Sequence, residues 1–175
     1  MTHLPGPVHH YAYVVEEIEA GIDHFVTTLG AGPFFLLEHV PLENVTFEGA
    51  PAIFDHTAAF GQCGSMAIEL QQIHRCEPAA MRDRFVLPAP RLHHIAWVVP
   101  DLDEASADLE QNHDAPLFLK ANIGEITHYH HDATHTLGHF IELHKDVPSL
   151  HGFWAMLKQA SVDWDGSDPI RVPTL

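Results

Sequence analysis

Basic residues, cysteines and long apolar runs are all scarce in this chain. Eight Lys and Arg stand against 24 Asp and Glu, a formal net charge of −16. Nucleic acids and anionic membranes bind through cationic surfaces, so neither is expected as a partner. A small anionic substrate stays allowed, because a bound cation can reverse the local field. Cys63 and Cys76 form no CxxC pair and suggest neither a disulfide framework nor a thiolate metal site. No stretch approaches the roughly 20 apolar residues of a membrane span. The opening Met1-Thr2-His3-Leu4-Pro5-Gly6-Pro7 has no basic segment and no long apolar one, so it does not read as a signal peptide. A cytoplasmic protein is expected.

What the chain does have is histidine, 17 in 175 residues, and a sequence written twice. Val8-His9-His10-Tyr11-Ala12-Tyr13-Val14-Val15 returns 84 positions later as Leu92-His93-His94-Ile95-Ala96-Trp97-Val98-Val99. Each copy runs into an acidic helix start, Glu16-Glu17-Ile18-Glu19 and Pro100-Asp101-Leu102-Asp103. A second landmark recurs as Ile68-Glu69-Leu70 and Ile141-Glu142-Leu143. Side chains alternate across a strand, so each glutamate points away from its aliphatic neighbours. Carboxylates in such strands are rarely buried without a partner or a metal. Two histidines and two glutamates from duplicated strands therefore suggest a four-ligand metal site.

The order of elements repeats as well. Residues 8–15, 34–40, 52–62 and 66–72 read as strands, and 18–29 as a helix with Ile18, Ile22, Phe25, Val26 and Leu29 on one face. After a proline-rich, charged connector the pattern restarts. A strand at 92–99 leads to a helix capped by Asp101 with Glu104, then to strands at 117–123, 126–133 and 139–144. An added helix is expected at 149–162 and an irregular tail beyond it. The expected divisions are residues 1–75, the connector 76–91, residues 92–145 and the C-terminal segment 146–175. The fold class is α+β: two tandem βαβββ modules plus a C-terminal helix.

Paired modules that open on H-x-A-x-x-V and close on I-E-L resemble the vicinal oxygen chelate superfamily. That family holds glyoxalase I, methylmalonyl-CoA epimerase, extradiol dioxygenases and the fosfomycin and bleomycin resistance proteins. The resemblance spans roughly residues 8–145 and implies that the two modules form a cupped mixed sheet around one metal site. It implies that the ligand histidine lies seven residues before the acidic helix cap, which selects His10 and His94 over His9 and His93. The last two are expected on the opposite face, as packing residues. Glu69 and Glu142 match the glutamate ligands, with Gln71 as a fallback for Glu69.

The resemblance further implies one divalent ion per chain (zinc, nickel, cobalt, manganese or iron) and a metal-stabilised enediolate. Glu142 matches the proton-abstracting glutamate, with Glu69 as its counterpart. The expected function is a metal-dependent isomerase, epimerase or lyase acting on a small oxygenated substrate. A homodimer is expected on other grounds, because exposed sheet edges and an apolar added helix with Phe153, Trp154 and Leu157 need covering. An Fe(II) extradiol-type dioxygenase and a non-catalytic small-molecule binding protein are the alternatives. His128, His130, His131 and His135 crowd the region before Glu142, where they line a pocket or form a solvated strand face. Glu48, in Phe47-Glu48-Gly49, resembles the epimerase E-x-G-V turn with its glycine one residue short.

Overall fold

The structure, a computed structural model, describes residue 4 and residues 6–173. Much of the stretch that argued against a signal peptide thus lies outside the described residues. At the centre of the fold, β1 (His10–Val14) and β7 (Arg91–Val99) run antiparallel, side by side. Each has a parallel strand on its other flank, β6 (Met66–Glu77) beside β1 and β10 (Phe140–Lys145) beside β7. Beyond β6 lie β5 (Ile53–Cys63), β2 (Phe34–Leu37) and the short β11 (Ile170–Arg171). Beyond β10 lie β9 (Ile126–His131), β8 (Leu117–Ile123), β3 (Glu43–Phe47) and β4 (Ala50–Pro51). Among the described residues four helices complete the α+β fold: α1 (Ile18–Leu29), α2 (Ala79–Phe85), α3 (Leu102–Asn112) and α4 (Pro148–Ala160).

The alternation of the strands sorts side chains onto two faces. Ile68 and Leu70, which flank Glu69, pack against Ile18 and Ile22 of α1. Ile141 and Leu143, which flank Glu142, pack against Leu102 and Leu109 of α3. Both glutamates therefore face the other side. There Phe54, Met81, Phe85, Phe118 and Phe140 form a third cluster. The cap of α3 is as expected, with the Asp101 carboxylate accepting from the Glu104 backbone N–H at 2.9 Å.

Several elements differ from the sequence reading. The hairpin β3–β4 falls in residues 41–51, where no strand was expected. It belongs to the first half of the chain yet pairs with β8 of the second, Thr46 opposite Lys120 and Phe47 opposite Leu119. Its two-residue turn has positive φ at both Glu48 (48°) and Gly49 (81°), the backbone of a type I′ hairpin. Strand β2 stops at Leu37, short of Val40, and His39 just beyond it has a left-handed φ of 48°. Strand β6 continues through Arg75 to Glu77, inside the segment read as connector. The tail read as irregular contributes β11, which pairs with Phe34 and Phe35.

Candidate metal centre

Register brings the duplicated residues together. Ala12 lies opposite both Glu69 and His94, and Ala96 lies opposite both Glu142 and His10. Each row across the sheet thus reads large, alanine, large, and both alanines are fully buried. A methyl group at the middle of each row leaves a hollow, into which the two histidines and two glutamates converge. The Nε2 of His10 is 3.2 Å from Glu69 Oε2 and 3.5 Å from Glu142 Oε2. The Nε2 of His94 is 3.1 Å from Glu142 Oε2 and 3.5 Å from Glu69 Oε2. All four residues are at most 5% exposed.

This set fits a divalent ion. Four tetrahedral donors at the usual zinc bond lengths stand about 3.4 Å apart along each edge. The four N···O separations bracket that value. Neither Nε2 makes a hydrogen bond of acceptable geometry with any described residue, although both are buried. Two neutral imidazoles with two carboxylates would balance a dication.

The electrostatics of the metal-free site follow from the same contacts. Burial alone would lower both histidines, but the carboxylates of Glu142 and Glu69 outweigh it. His10 is raised above its ordinary value, and His94 is pushed up to about 10. Burial would raise the carboxyls, yet the imidazoles around them prevail. His10 and His94 hold Glu69 well below the usual carboxylate range, and His144, His94, His130 and His10 do the same for Glu142.

The remaining candidates divide. Gln71 is buried beside the tetrad, its Nε2 donating to Glu69 Oε1 at 3.0 Å. His128 and His130 face into the cup, with His130 Nε2 3.5 Å from Glu142 Oε1. His131 turns away and donates from Nδ1 to the Ala115 carbonyl at 2.8 Å. His135 pairs at the surface with Asp114. Glu48 is exposed and held by Arg84 Nη1 at 2.6 Å, on the outer hairpin and not at the tetrad.

One expectation is corrected outright. His93 does not point to the face opposite His94. The pairing of β1 with β7 slips between Ala12–His94 and Tyr13–Leu92, and His93 is the extra residue of this bulge. It is fully buried, with its Nδ1 3.0 Å from His94 Nδ1 and its Nε2 donating to the Phe85 carbonyl at 3.0 Å. His9 precedes β1 and likewise places its Nδ1 3.0 Å from His10 Nδ1. Burial pushes both His9 and His93 down to about 3, so both are neutral.

Three residues of the site escaped sequence reasoning. His144 donates from Nε2 to Glu142 Oε2 at 2.7 Å, and its signal was simply its place two residues on, on the same strand face. His56, on β5, stacks on Phe54 with ring centroids 4.3 Å apart. Trp154 of α4 stacks on His10 at 4.9 Å and meets Phe60 edge-on at 5.5 Å. Burial lowers His56 and His128 to about 4 and holds His130 well below its ordinary value. The cup is thus lined by neutral imidazoles and aromatic rings. Among the described residues, His56 Nδ1, both ring nitrogens of His130, His144 Nδ1 and Trp154 Nε1 have no hydrogen-bond partner. Unmet buried polar atoms cost about 1–3 kcal/mol each, so their clustering here marks a place for polar ligand atoms or water.

A family model for the Glyoxalase/Bleomycin resistance protein/Dioxygenase superfamily matches residues 9–128. The chain belongs to this superfamily. Solved structures resemble it at low identity. A hypothetical protein from Bacillus halodurans C-125 is 16% identical, with 81% of this chain and 94% of that one covered and a TM-score of 0.54. Methylmalonyl-CoA epimerase from Mycobacterium tuberculosis is 18% identical, with 87% and 95% covered and a TM-score of 0.49. A glyoxalase I variant from Zea mays is 16% identical, with 82% and 44% covered and a TM-score of 0.49. Likeness at this level bears on the fold alone. No curated protein matches the chain at a significant level.

Proposed function

We propose that the protein is a metal-dependent isomerase, epimerase or lyase of the glyoxalase-like type, with one divalent ion held by His10, Glu69, His94 and Glu142. The observation that carries this reading is the tetrad itself, whose ligand atoms all lie within 4.8 Å of one another in a buried hollow. A divalent ion there would supply Lewis acidity to a substrate with two adjacent oxygens, making the neighbouring C–H acidic enough to lose its proton. Glu142 takes that proton. Its carboxyl is held ionised by the surrounding imidazoles, which makes it an available base but a weak one. His144, at 2.7 Å, and His130, at 3.5 Å, are placed to stabilise the carboxylate and exchange protons with it. Glu69 has an amide neighbour instead, Gln71, which only steadies its charge.

The lining narrows the substrate. Among the described residues four of the chain's cations are already engaged. Arg84 bridges Glu48 and Asp132, Arg75 pairs with Glu77, Arg82 with Asp83, and Lys120 lies over the Tyr129 ring. Nothing there is arranged to cradle phosphates or several carboxylates. Phe54, Phe60, Phe85 and Trp154 with neutral histidines suit a compact, fairly apolar molecule with few oxygens.

The test is metal content together with exchange chemistry. Protein purified without chelator should carry close to one divalent ion per chain, and His10→Ala or His94→Ala should lose most of it. Full retention in both variants would refute the ligand assignment. With metal bound, proton exchange beside the carbonyl of a 1,2-dicarbonyl or 2-substituted 3-oxo compound supports the proposed chemistry. Oxygen uptake with a catechol, or tight ligand binding without metal, would replace it with the dioxygenase or binding-protein reading.

A further inference from the structure

We propose that His93 is a positioning residue that orients His94, holding its Nδ1 proton so that only Nε2 is presented to the tetrad. The inference rests on the reading of His94 as a metal ligand. Adjacent residues of a regular strand face opposite sides, so His93 could not reach His94 without the bulge that folds both rings inward.

The direction of the chain of hydrogen bonds follows from its far end. The Phe85 carbonyl can only accept, so the His93 Nε2 at 3.0 Å carries a proton. A neutral imidazole has one N–H, and among the described residues no carboxylate is hydrogen-bonded to His93. Its Nδ1 is therefore a bare lone pair. That lone pair faces His94 Nδ1 at 3.0 Å, and the proton between them belongs to His94. Rotation of the ring would break the sequence. Phe140 stacks on His93 at 5.3 Å and Phe85 meets it edge-on at 4.5 Å, which fixes its plane. Gln71 Nε2 also approaches His94 Nδ1, but at 3.4 Å, and it is already donating to Glu69 at 3.0 Å. The shorter contact to His93 prevails.

The first half carries a weaker copy. His9 Nδ1 lies 3.0 Å from His10 Nδ1, but no carbonyl among the described residues holds the other His9 nitrogen. Its ring is half-buried and rests edge-on against Trp154 at 4.8 Å. The fully anchored relay thus serves His94, and the effect of losing His9 should be the smaller.

The first experiment needs no metal. In ¹⁵N-labelled protein, an N–H···N hydrogen bond gives a scalar coupling between its two nitrogens. We expect that coupling between the Nδ1 atoms of His94 and His93, with the proton on His94. A proton on His93 Nδ1, or no coupling, overturns the relay. The second is Co(II) titration. His93→Phe keeps an aromatic ring between Phe85 and Phe140 but cannot accept, and should weaken Co(II) binding about 10–100-fold, as loss of a ligand-orienting partner does. His93→Asn, whose amide oxygen can take the place of Nδ1, should restore most of the affinity, and His9→Phe should lose less. Unchanged affinity in a folded His93→Phe overturns the positioning role. Should His93→Phe not fold, the wild-type coupling and His93→Asn still decide. Coupling in a wild-type protein that binds no Co(II) would sink the ligand reading and leave the relay. Co(II) binding without coupling would do the reverse.

Discussion

Among single residues, Glu142 and Glu69 are equivalent by register but not by surroundings. Glu142 contacts four imidazoles, those of His10, His94, His130 and His144, whereas Glu69 contacts two and an amide. A base that must pass a proton on is better served by the first environment. Glu142→Gln should therefore lower turnover by about 10²–10⁴, the usual cost of removing a general base, while its amide oxygen still coordinates. Solvent deuterium exchange at equal metal occupancy measures this, and exchange that survives intact would move the base to Glu69, which Glu69→Gln run alongside would reveal. The four tetrad residues were legible because the chain writes each half of the set twice in phase. His144 and His56 were not, because a lone histidine on a strand carries no signal beyond its parity. His93 was misread because a bulge breaks the alternation on which the reading depended, and no turn residue or glycine announces it.

At the level of elements, the sheet supplies the hollow and the helices close it. The repeated alanine of the motif now has a physical reason. Ala12 and Ala96 sit between histidine and glutamate in their rows, where any larger side chain would occupy the space in which the ligand atoms converge. Ala96→Leu removes no ligand, yet it should abolish stoichiometric metal binding. Overpacking of this kind costs about 1–3 kcal/mol, so the variant should remain folded by circular dichroism while elemental analysis shows little metal. Stoichiometric metal in the folded variant would show that the hollow is not where the ion sits. Strands with clear alternation and helices with clear stripes were readable in advance. The β3–β4 hairpin was not, because its strands are short, and Glu48-Gly49 is a weak turn signal beside Asn-Gly or Asp-Gly. Helix α2 lies inside the segment read as connector, and its last residue, Phe85, supplies both a ring and a carbonyl to the site.

For the whole molecule, both features that suggested a homodimer are satisfied within the chain. The sheet edges end in the two-residue strands β4 and β11, and the aromatic side of α4 turns inward onto Phe60 and His10. A dimer, which we retain as a proposal, must use another surface, so Trp154→Ala should leave a light-scattering mass of twice 19.5 kDa unchanged. A monomer mass for wild type would end that proposal. The titrating groups bear on stability in a way that can be read without substrate. His10 and His94 are raised, so their contribution is full below pH 6.5 and is lost as pH rises, that of His94 through about 10. His9, His56, His93 and His128 are lowered to about 3–4, so folding excludes protons that the unfolded chain takes up below pH 6.5. Their contribution is lost as pH falls toward 4. Glu69 and Glu142, held low, add to that acid loss only below about 4.5, the ordinary value for a glutamate. The chelated protein should therefore melt highest near pH 6.5, with Tm falling on both sides. Adding Zn(II) should raise Tm most on the alkaline side, because metal binding displaces protons from His10 and His94 and strengthens with pH. A chelated protein whose Tm keeps rising to pH 9 would mean that the paired imidazoles are not protonated there, and the charge balance assigned to the tetrad would have to be abandoned.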